Sequence, residues 1–263
     1  MFPGTFERML AEFRDQQPPP FCLSDAFPGD LLPMPMHITG LRLGKKLRPP
    51  VYVPAASFRR LMNGECEAPA DAEAGVFRAS TRIQTSIDRE LGAAAEGQLF
   101  ETDTEHLKEG FDALSVYIRS ENYLEQVSAC LRALAWTGFG KKSATGLGHF
   151  EILGAPERCD WLDHAPGANG FMALSHFVPS PEDPAEGLWR THVTFPKFHA
   201  NSVSNVFKGA IIMFTPGSVF RTDSTPPKPW YGSMIPVPRP EMPRAVHYGL
   251  CFPVPLVWPS EPQ

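Results

Sequence analysis

Apolar side chains recur at helical spacing near the start of the chain, where Phe6, Met9, Leu10 and Phe13 line one face, so a helix is expected over residues 5–14. Pro18, Pro19 and Pro20 end it, and Phe21 to Leu23 is expected to form a short strand before a turn at Pro28-Gly29-Asp30. Residues 54–62 predict a short helix with Pro54 close to its first turn. Leu114 to Arg119 alternates as a strand does. Tyr123, Val127, Leu131 and Leu134 then draw a helical stripe that begins near Ser120 or Glu121. The apolar stretch from about Leu147 to Leu153 predicts a further strand, and the glycine-punctuated run Gly138 to Gly148 joins helix to strand. Strand, helix, glycine loop and strand make one half of a ferredoxin-like fold.

Residues 154–170 read as a linker. Beyond them a second strand-rich region starts at Phe171 and continues through Thr191–Phe195, Ala210–Phe214 and His247–Pro255. The expected class is therefore α+β, with a ferredoxin-like domain over 1–155 and a strand-rich domain over 156–263. Two polar stretches interrupt the pattern. Residues 40–50 carry Arg42, Lys45, Lys46 and Arg48 and are expected to be an exposed, solvated basic loop; residues 64–75 are small and acidic and are expected to be mobile. No tandem repeat is visible.

Composition sharpens this picture. Hydrophobic residues make up 43% of the 263, enough for a packed core. The 29 prolines and 21 glycines favour short strands and irregular connections, above all after residue 160. A formal net charge of −5 is unlike a free-standing nucleic-acid binder, so any such contact must use a local basic patch or an assembly. Cys22, Cys66, Cys130, Cys159 and Cys251 form no CxxC pair and lack histidines at ligand spacing, so no metal or other cofactor is expected. Without a signal peptide or a long apolar run, the chain reads as cytoplasmic with reduced thiols and no membrane partner.

The chemistry concentrates in Gly138-Phe139-Gly140-Lys141-Lys142-Ser143-Ala144-Thr145-Gly146-Leu147-Gly148. Glycines let a backbone approach phosphates closely, and the lysines supply charge. A nucleotide P-loop is excluded. Its leading glycine is replaced by Ala135, Lys142 stands where Ser or Thr belongs, and the order is helix–loop–strand rather than strand–loop–helix. A dinucleotide fingerprint fails for the same reason. The composition is equally satisfied by a lysine-bearing turn whose glycines serve geometry alone.

Several segments in consistent order resemble one family. Thr81 to Gly92, with Arg82, Ser86, Ile87, Asp88 and Arg89, resembles an Arg-x-x-x-x-Ile-Asp-Arg-x-x-Gly segment and ends at Gly97-Gln98-Leu99-Phe100. Pro20 to Pro28, Ala173 to Pro179, Trp189-Arg190, Phe214 to Ser218 and His247-Tyr248-Gly249 extend the likeness over nearly the whole chain. The family is the RAMP superfamily of CRISPR proteins, and specifically subunit four of the type III-A effector complex. Its pattern normally opens with a strand and a helix that precede anything visible here, so the first strand of the ferredoxin-like domain is expected to be absent.

The resemblance implies an RNA-binding subunit without catalysis of its own. Its relatives hold the 5′ handle of the guide crRNA, dock a large cyclase- and polymerase-like subunit, and adjoin a backbone RAMP subunit. On that reading Lys141, Lys142 and Ser143 meet phosphates, with Gly138, Gly140, Gly146 and Gly148 permitting close approach. Phe139 stacks on a base, while Arg82, Ser86 and Arg89 contact the handle. Alternatives stay open: an Asp88–Arg89 ion pair that only orders its loop, and a Phe139 folded back into the core. A RAMP endoribonuclease using His106, His149 or His199 as acid or base is another, as is the equivalent foot subunit of a type III-B complex. His37, His176 and His247 are expected to be satisfied structural histidines.

Overall fold

The structure is a computed structural model that describes residues 3–15, 18–38, 51–88, 93–140, 146–198 and 207–258. Helix α1 (Pro3–Asp15) stops ahead of the proline triplet and is followed by strands β1 (Cys22–Pro28) and β2 (Leu31–Pro33). Strand β3 (Val51–Pro54) runs straight into helix α2 (Ala55–Met62), whose N-cap is Pro54. The short β4 (Glu73–Ala74) precedes two long strands, β5 (Phe77–Asp88) and β6 (Ala93–Leu107). Strand β7 (Leu114–Arg119) leads into helix α3 (Leu124–Thr137).

The remainder is built of short strands: β8 (Gly170–Ala173), β9 (Gly187–Leu188), β10 (Thr191–Thr194), β11 (Ile211–Phe214) and β12 (Val219–Arg221). After these come β13 (Tyr231–Gly232), β14 (Ile235–Pro236), β15 (Val246–His247), β16 (Leu250–Cys251) and β17 (Pro253–Leu256). The fold is mixed, rich in strands and sparing in helices.

Sheets among the described residues are small. β1 pairs antiparallel with β7, from Cys22 opposite Arg119 to Pro28 opposite Leu114, with an irregularity between Leu23 and Ala26. β2, β3 and β4 form one sheet, and β17, β8, β12 and β9 another, in those orders. The largest core cluster joins Phe27, Leu32, Val53, Phe58 and Leu61 to Met172, Leu174, Val219, Val254 and Leu256. Both chain segments therefore contribute to one continuous apolar interior, and each such side chain removed from water stabilises by about 1.5–3 kcal/mol. A second cluster stacks Phe171 between Phe220 and Tyr231, with ring centroids 5.1 and 3.9 Å away. A third holds α1 to α3 through Met9, Phe13, Tyr123 and Val127.

Three expectations are corrected. Residues 149–153 form no strand: Phe150, Ile152 and Leu153 are exposed and nothing among the described residues pairs with them. An alternating sequence becomes a strand only when another strand accepts its backbone groups, and among the described residues β7 pairs with β1 alone. The linker carries a 3-10 turn, Asp160–Asp163, whose Leu162 is buried in the main core and whose Asp163 carboxylate receives Arg119. The long β5–β6 hairpin replaces what the sequence showed only as a motif. The basic loop at 40–50 lies outside the described residues.

Candidate nucleic-acid interface

Helix α3 ends at Gly138, whose φ is +80° and whose N–H donates to the Leu134 carbonyl at 2.8 Å. The next residue closes the neck of the loop, as the Phe139 N–H donates to the Gly148 carbonyl at 2.8 Å. A Cβ on Gly148 would lie 1.9 Å from the Phe139 carbonyl oxygen, at a φ of +75° that L side chains avoid. Only glycine fits there. Gly140 and Gly146 also have positive φ, but a Cβ on either would meet nothing, so they shape the backbone without packing against it. Gly148→Ala should therefore unpin the neck, costing about 1–3 kcal/mol locally. Hydrogen exchange at the Phe139 amide reads it: protection should be lost there while the β8 amides keep theirs, and retained protection would overturn the pinning.

Phe139 is 69% exposed, so its ring does not fold back into the core. Lys141, Lys142 and Ser143 lie outside the described residues, as does Arg89.

Arg82 sits on the β5–β6 hairpin, which pairs Phe77 with Leu107 at its base and Asp88 with Ala93 at its far end. Ser86 belongs to the same strand. Residues directly opposite each other in an antiparallel pair share a face, and faces alternate along each strand. Arg78 faces His106, Ser80 faces Thr104 and Arg82 faces Thr102, which makes one face cationic and hydroxyl-bearing. The other face pairs Ala79 with Glu105, Thr81 with Asp103 and Ile83 with Glu101.

Hydrogen bonds respect this division. The Ser80 and Thr104 hydroxyls meet at 2.9 Å, and Thr104 Oγ1 lies 3.1 Å from His106 Nε2. On the opposite face the Thr81 hydroxyl donates to Asp103 Oδ1 at 2.8 Å. Over residues 78–82 and 102–106 the hairpin thus separates its charges by sign, with no carboxylate on the arginine face. Sequence reasoning missed Arg78 and this polarity. The signal was present in Glu101-Thr102-Asp103-Thr104-Glu105-His106, where acids recur with period two.

The segments that carried the family likeness meet in space. The Asp25 N–H donates to the Leu174 carbonyl at 2.8 Å, while Asp25 accepts from the His176 backbone at 3.1 Å and from its ring Nδ1 at 2.6 Å. The Leu23 N–H donates to the Tyr248 hydroxyl at 3.0 Å, and Val178 donates to the Gly249 carbonyl at 2.9 Å. Burial raises the Tyr248 phenol well above its ordinary pKa, so it stays protonated. His176 thus has the structural partner expected of it. His37 does not: it is 3% exposed and neither ring nitrogen finds a partner among the described residues. Of the histidines considered as acids or bases, His106 and His149 are exposed and His199 lies outside the described residues.

No family model matches the chain, and no curated protein matches it in sequence. Its structure is similar to that of a chain in the crystal structure of the Csm3–Csm4 subcomplex of the type III-A CRISPR-Cas interference complex. The TM-score is 0.53 at 11% identity, over 96% of this chain and 92% of that one. A looser likeness, with a TM-score of 0.45 at 13% identity over 83% of this chain and 76% of the other, is to a chain of the type III-B Cmr-beta complex bound to cognate target RNA and AMPPnP. At this identity the first likeness speaks for the fold alone, which the chain shares with that chain of the type III-A subcomplex nearly end to end. No helix among the described residues is long and apolar enough to cross a membrane.

Proposed function

We propose that this chain is a non-catalytic RNA-binding subunit of a type III-A CRISPR effector complex in the cytoplasm. It holds the 5′ handle of the guide crRNA, docks the large cyclase- and polymerase-like subunit and adjoins the backbone RAMP subunit. The ferredoxin-like reading of residues 1–155 and the strand-rich domain at 156–263 belong to the same proposal. One observation carries it: Arg82, which opens the family's Ile-Asp-Arg segment, lies with Arg78 on a hairpin face that bears no carboxylate over residues 78–82 and 102–106.

A chain with a net charge of −5 attracts a polyanion only where its cations are gathered away from its acids. Arg78 and Arg82 are exposed and extended on such a face. Arginine suits phosphate because its planar guanidinium donates two parallel hydrogen bonds. The sequence of the glycine loop supplies Lys141 and Lys142, and exposed Phe139 gives a ring for stacking on a splayed base.

The test compares two double variants in the assembled complex, Arg78→Glu with Arg82→Glu and Lys141→Glu with Lys142→Glu. Arg78 and Arg82 are exposed, so substitutions there spare the fold, and unchanged thermal unfolding of each double variant verifies it. Each removes two phosphate contacts, so guide recovery should fall and the salt dependence of RNA affinity should flatten by about two units of log–log slope. Undiminished guide recovery from both doubles would sink the proposal. Cleavage of repeat RNA by the isolated protein without metal would replace it with the endoribonuclease reading.

A further inference from the structure

Strands β10 and β11 form a two-stranded ribbon in which Thr191 lies opposite Phe214 and Val193 opposite Ile212. Its two faces differ in burial. Ile211 and Met213 on one face are buried, while Val193, Phe195 and Ile212 on the other are 49%, 64% and 60% exposed. Trp189, also half-exposed, extends that strip past the Phe214 ring, the two centroids lying 5.0 Å apart. Apolar side chains scattered singly over a surface need no partner, but a contiguous exposed strip marks an interaction site. Nothing in the interface described above uses it.

The ribbon also has an open edge. The Phe214 N–H donates to the Phe177 carbonyl at 2.8 Å and the Phe177 N–H donates back at 3.1 Å, so the Phe214 backbone groups face away from β10. Thr191 with Phe214, and Val193 with Ile212, are therefore the pairs of the ladder that exchange no hydrogen bonds. One step along, the Thr215 N–H donates to the Arg190 carbonyl at 2.9 Å, which agrees with that phase. The N–H and C=O of Thr191 and Val193 thus point outward from β10, and no strand among the described residues pairs with them. Such an edge is a template for another strand unless it is blunted. No proline and no Lys, Arg, Asp or Glu interrupts residues 191–195.

Charge chooses the occupant. No Asp or Glu occurs between Glu186 and Asp223, a stretch that holds Arg190, Lys197, Lys208 and Arg221. Glu186 and Arg221 pair with each other at 3.5 Å. Arg190, exposed next to Trp189, and Lys197, exposed two residues past Phe195, form no ion pair among the described residues. The strip therefore has a cation near each end and no carboxylate of its own. Two copies of the chain pairing antiparallel about Val193 would set the Lys197 end of each against the Arg190 end of the other, and like charges oppose that. We infer that the open edge and exposed face of this ribbon bind an extended segment of another protein, an added strand with apolar residues at alternate positions and carboxylates flanking them. The Thr191 and Val193 backbone groups hold its main chain. Val193, Phe195 and Ile212 take its apolar side chains, and Arg190 and Lys197 receive its carboxylates. The surface shares no residue with the arginine face of the β5–β6 hairpin.

The synthetic peptide acetyl-Glu-Glu-Val-Thr-Ile-Thr-Phe-Glu-Glu-amide tests this on the full chain, read by amide NMR and hydrogen exchange. At millimolar peptide the Thr191 and Val193 amides should gain protection, while those of His192 and Thr194, which face β11, keep what they have. The same peptide with lysine for every glutamate should bind roughly tenfold more weakly. A version N-methylated at Val, Ile and Phe keeps the side chains but blocks the strand pairing, so it should protect neither amide. Lys197→Glu should weaken the glutamate peptide about threefold and strengthen the lysine peptide. Lys197 is exposed, so that variant should fold, and unchanged β8 amide protection verifies it. No protection by the glutamate peptide, or equal protection by the lysine or N-methylated one, would overturn the inference. Protection that rises with protein concentration without peptide, alongside dimers in sedimentation, would give the edge to a second copy and overturn it too. No RNA enters this test, so its outcome and that of the hairpin variants are independent.

Discussion

Arg119→Ala should lower the unfolding free energy by about 3 kcal/mol, more than any single surface substitution on this chain. Arg119 is the last residue of β7, and its guanidinium reaches three separate stretches of chain. It donates to the Pro229 carbonyl at 2.9 Å, to the Pro253 carbonyl at 3.0 Å and to the Asp163 carboxylate. It also lies 4.3 Å from the centroid of the Phe252 ring. With 22% of its side chain exposed, most of it is screened poorly by water. A hydrogen bond from a charged donor contributes about 1.5–3 kcal/mol and a partly desolvated cation–π contact about 1 kcal/mol. The exposed Asp163 end is discounted because that carboxylate rehydrates when its partner is removed.

Arg119→Lys should restore less than half of the loss. An ammonium has neither the planar fork nor the reach to serve acceptors on three sides. Urea denaturation checks both, read as a shift in midpoint at constant slope. A loss below about 1 kcal/mol for the alanine variant would show that the latch is redundant with the apolar interior beneath it.

That latch shows why some of the fold was legible and some was not. Helices α1, α2 and α3 announce themselves because each buries one stripe, as Phe58, Leu61 and Met62 do for α2. Strand β7 and the strand-rich region after Phe171 follow from alternation and from proline and glycine punctuation. The β5–β6 hairpin escaped because most side chains on both faces meet solvent over residues 78–83 and 101–106, Thr102 being the buried exception. Hydrophobic periodicity reports burial, and a ribbon held by cross-strand pairs such as Ser80 with Thr104 buries little. Residues 149–153 failed in the opposite way, having the alternation but no strand partner among the described residues.

At the site, glycine spacing located the neck of the loop, where Gly138 and Gly148 take positive φ. The arginine face needed a register, because only pairing tells which residues of two strands share a side. The meeting of Asp25 with His176 spans 151 positions of chain, and no local pattern encodes it. Leu162 in an apparent linker is of the same kind: with Trp161 it makes one apolar pair, too short to carry a period.

Lowering the pH from 7 to 5 should cost wild-type protein about 2 kcal/mol of stability that a His37→Leu variant does not lose. The His37 imidazole is buried beside Trp258, ring centroids 6.4 Å apart, and both nitrogens are unpartnered among the described residues. Burial disfavours its charged form and pushes its pKa from 6.5 down to about 4. In the unfolded chain the ring protonates near 6.5, so above that pH both states are neutral and the full stability is present. As pH falls below 6.5 the unfolded state binds a proton that the folded state refuses. Stability then declines by about 1.4 kcal/mol per pH unit, levelling near pH 4 where the folded ring also protonates.

His247 is shifted in the same direction and carboxylates titrate below, so wild type alone cannot isolate the effect. The difference between the two proteins does. At pH 7 the leucine should be neutral to slightly stabilising, because it removes two polar atoms that find no hydrogen bond among the described residues. Parallel stability–pH curves for the two proteins between pH 7 and 5 would mean that His37 reaches water or a partner on protonation.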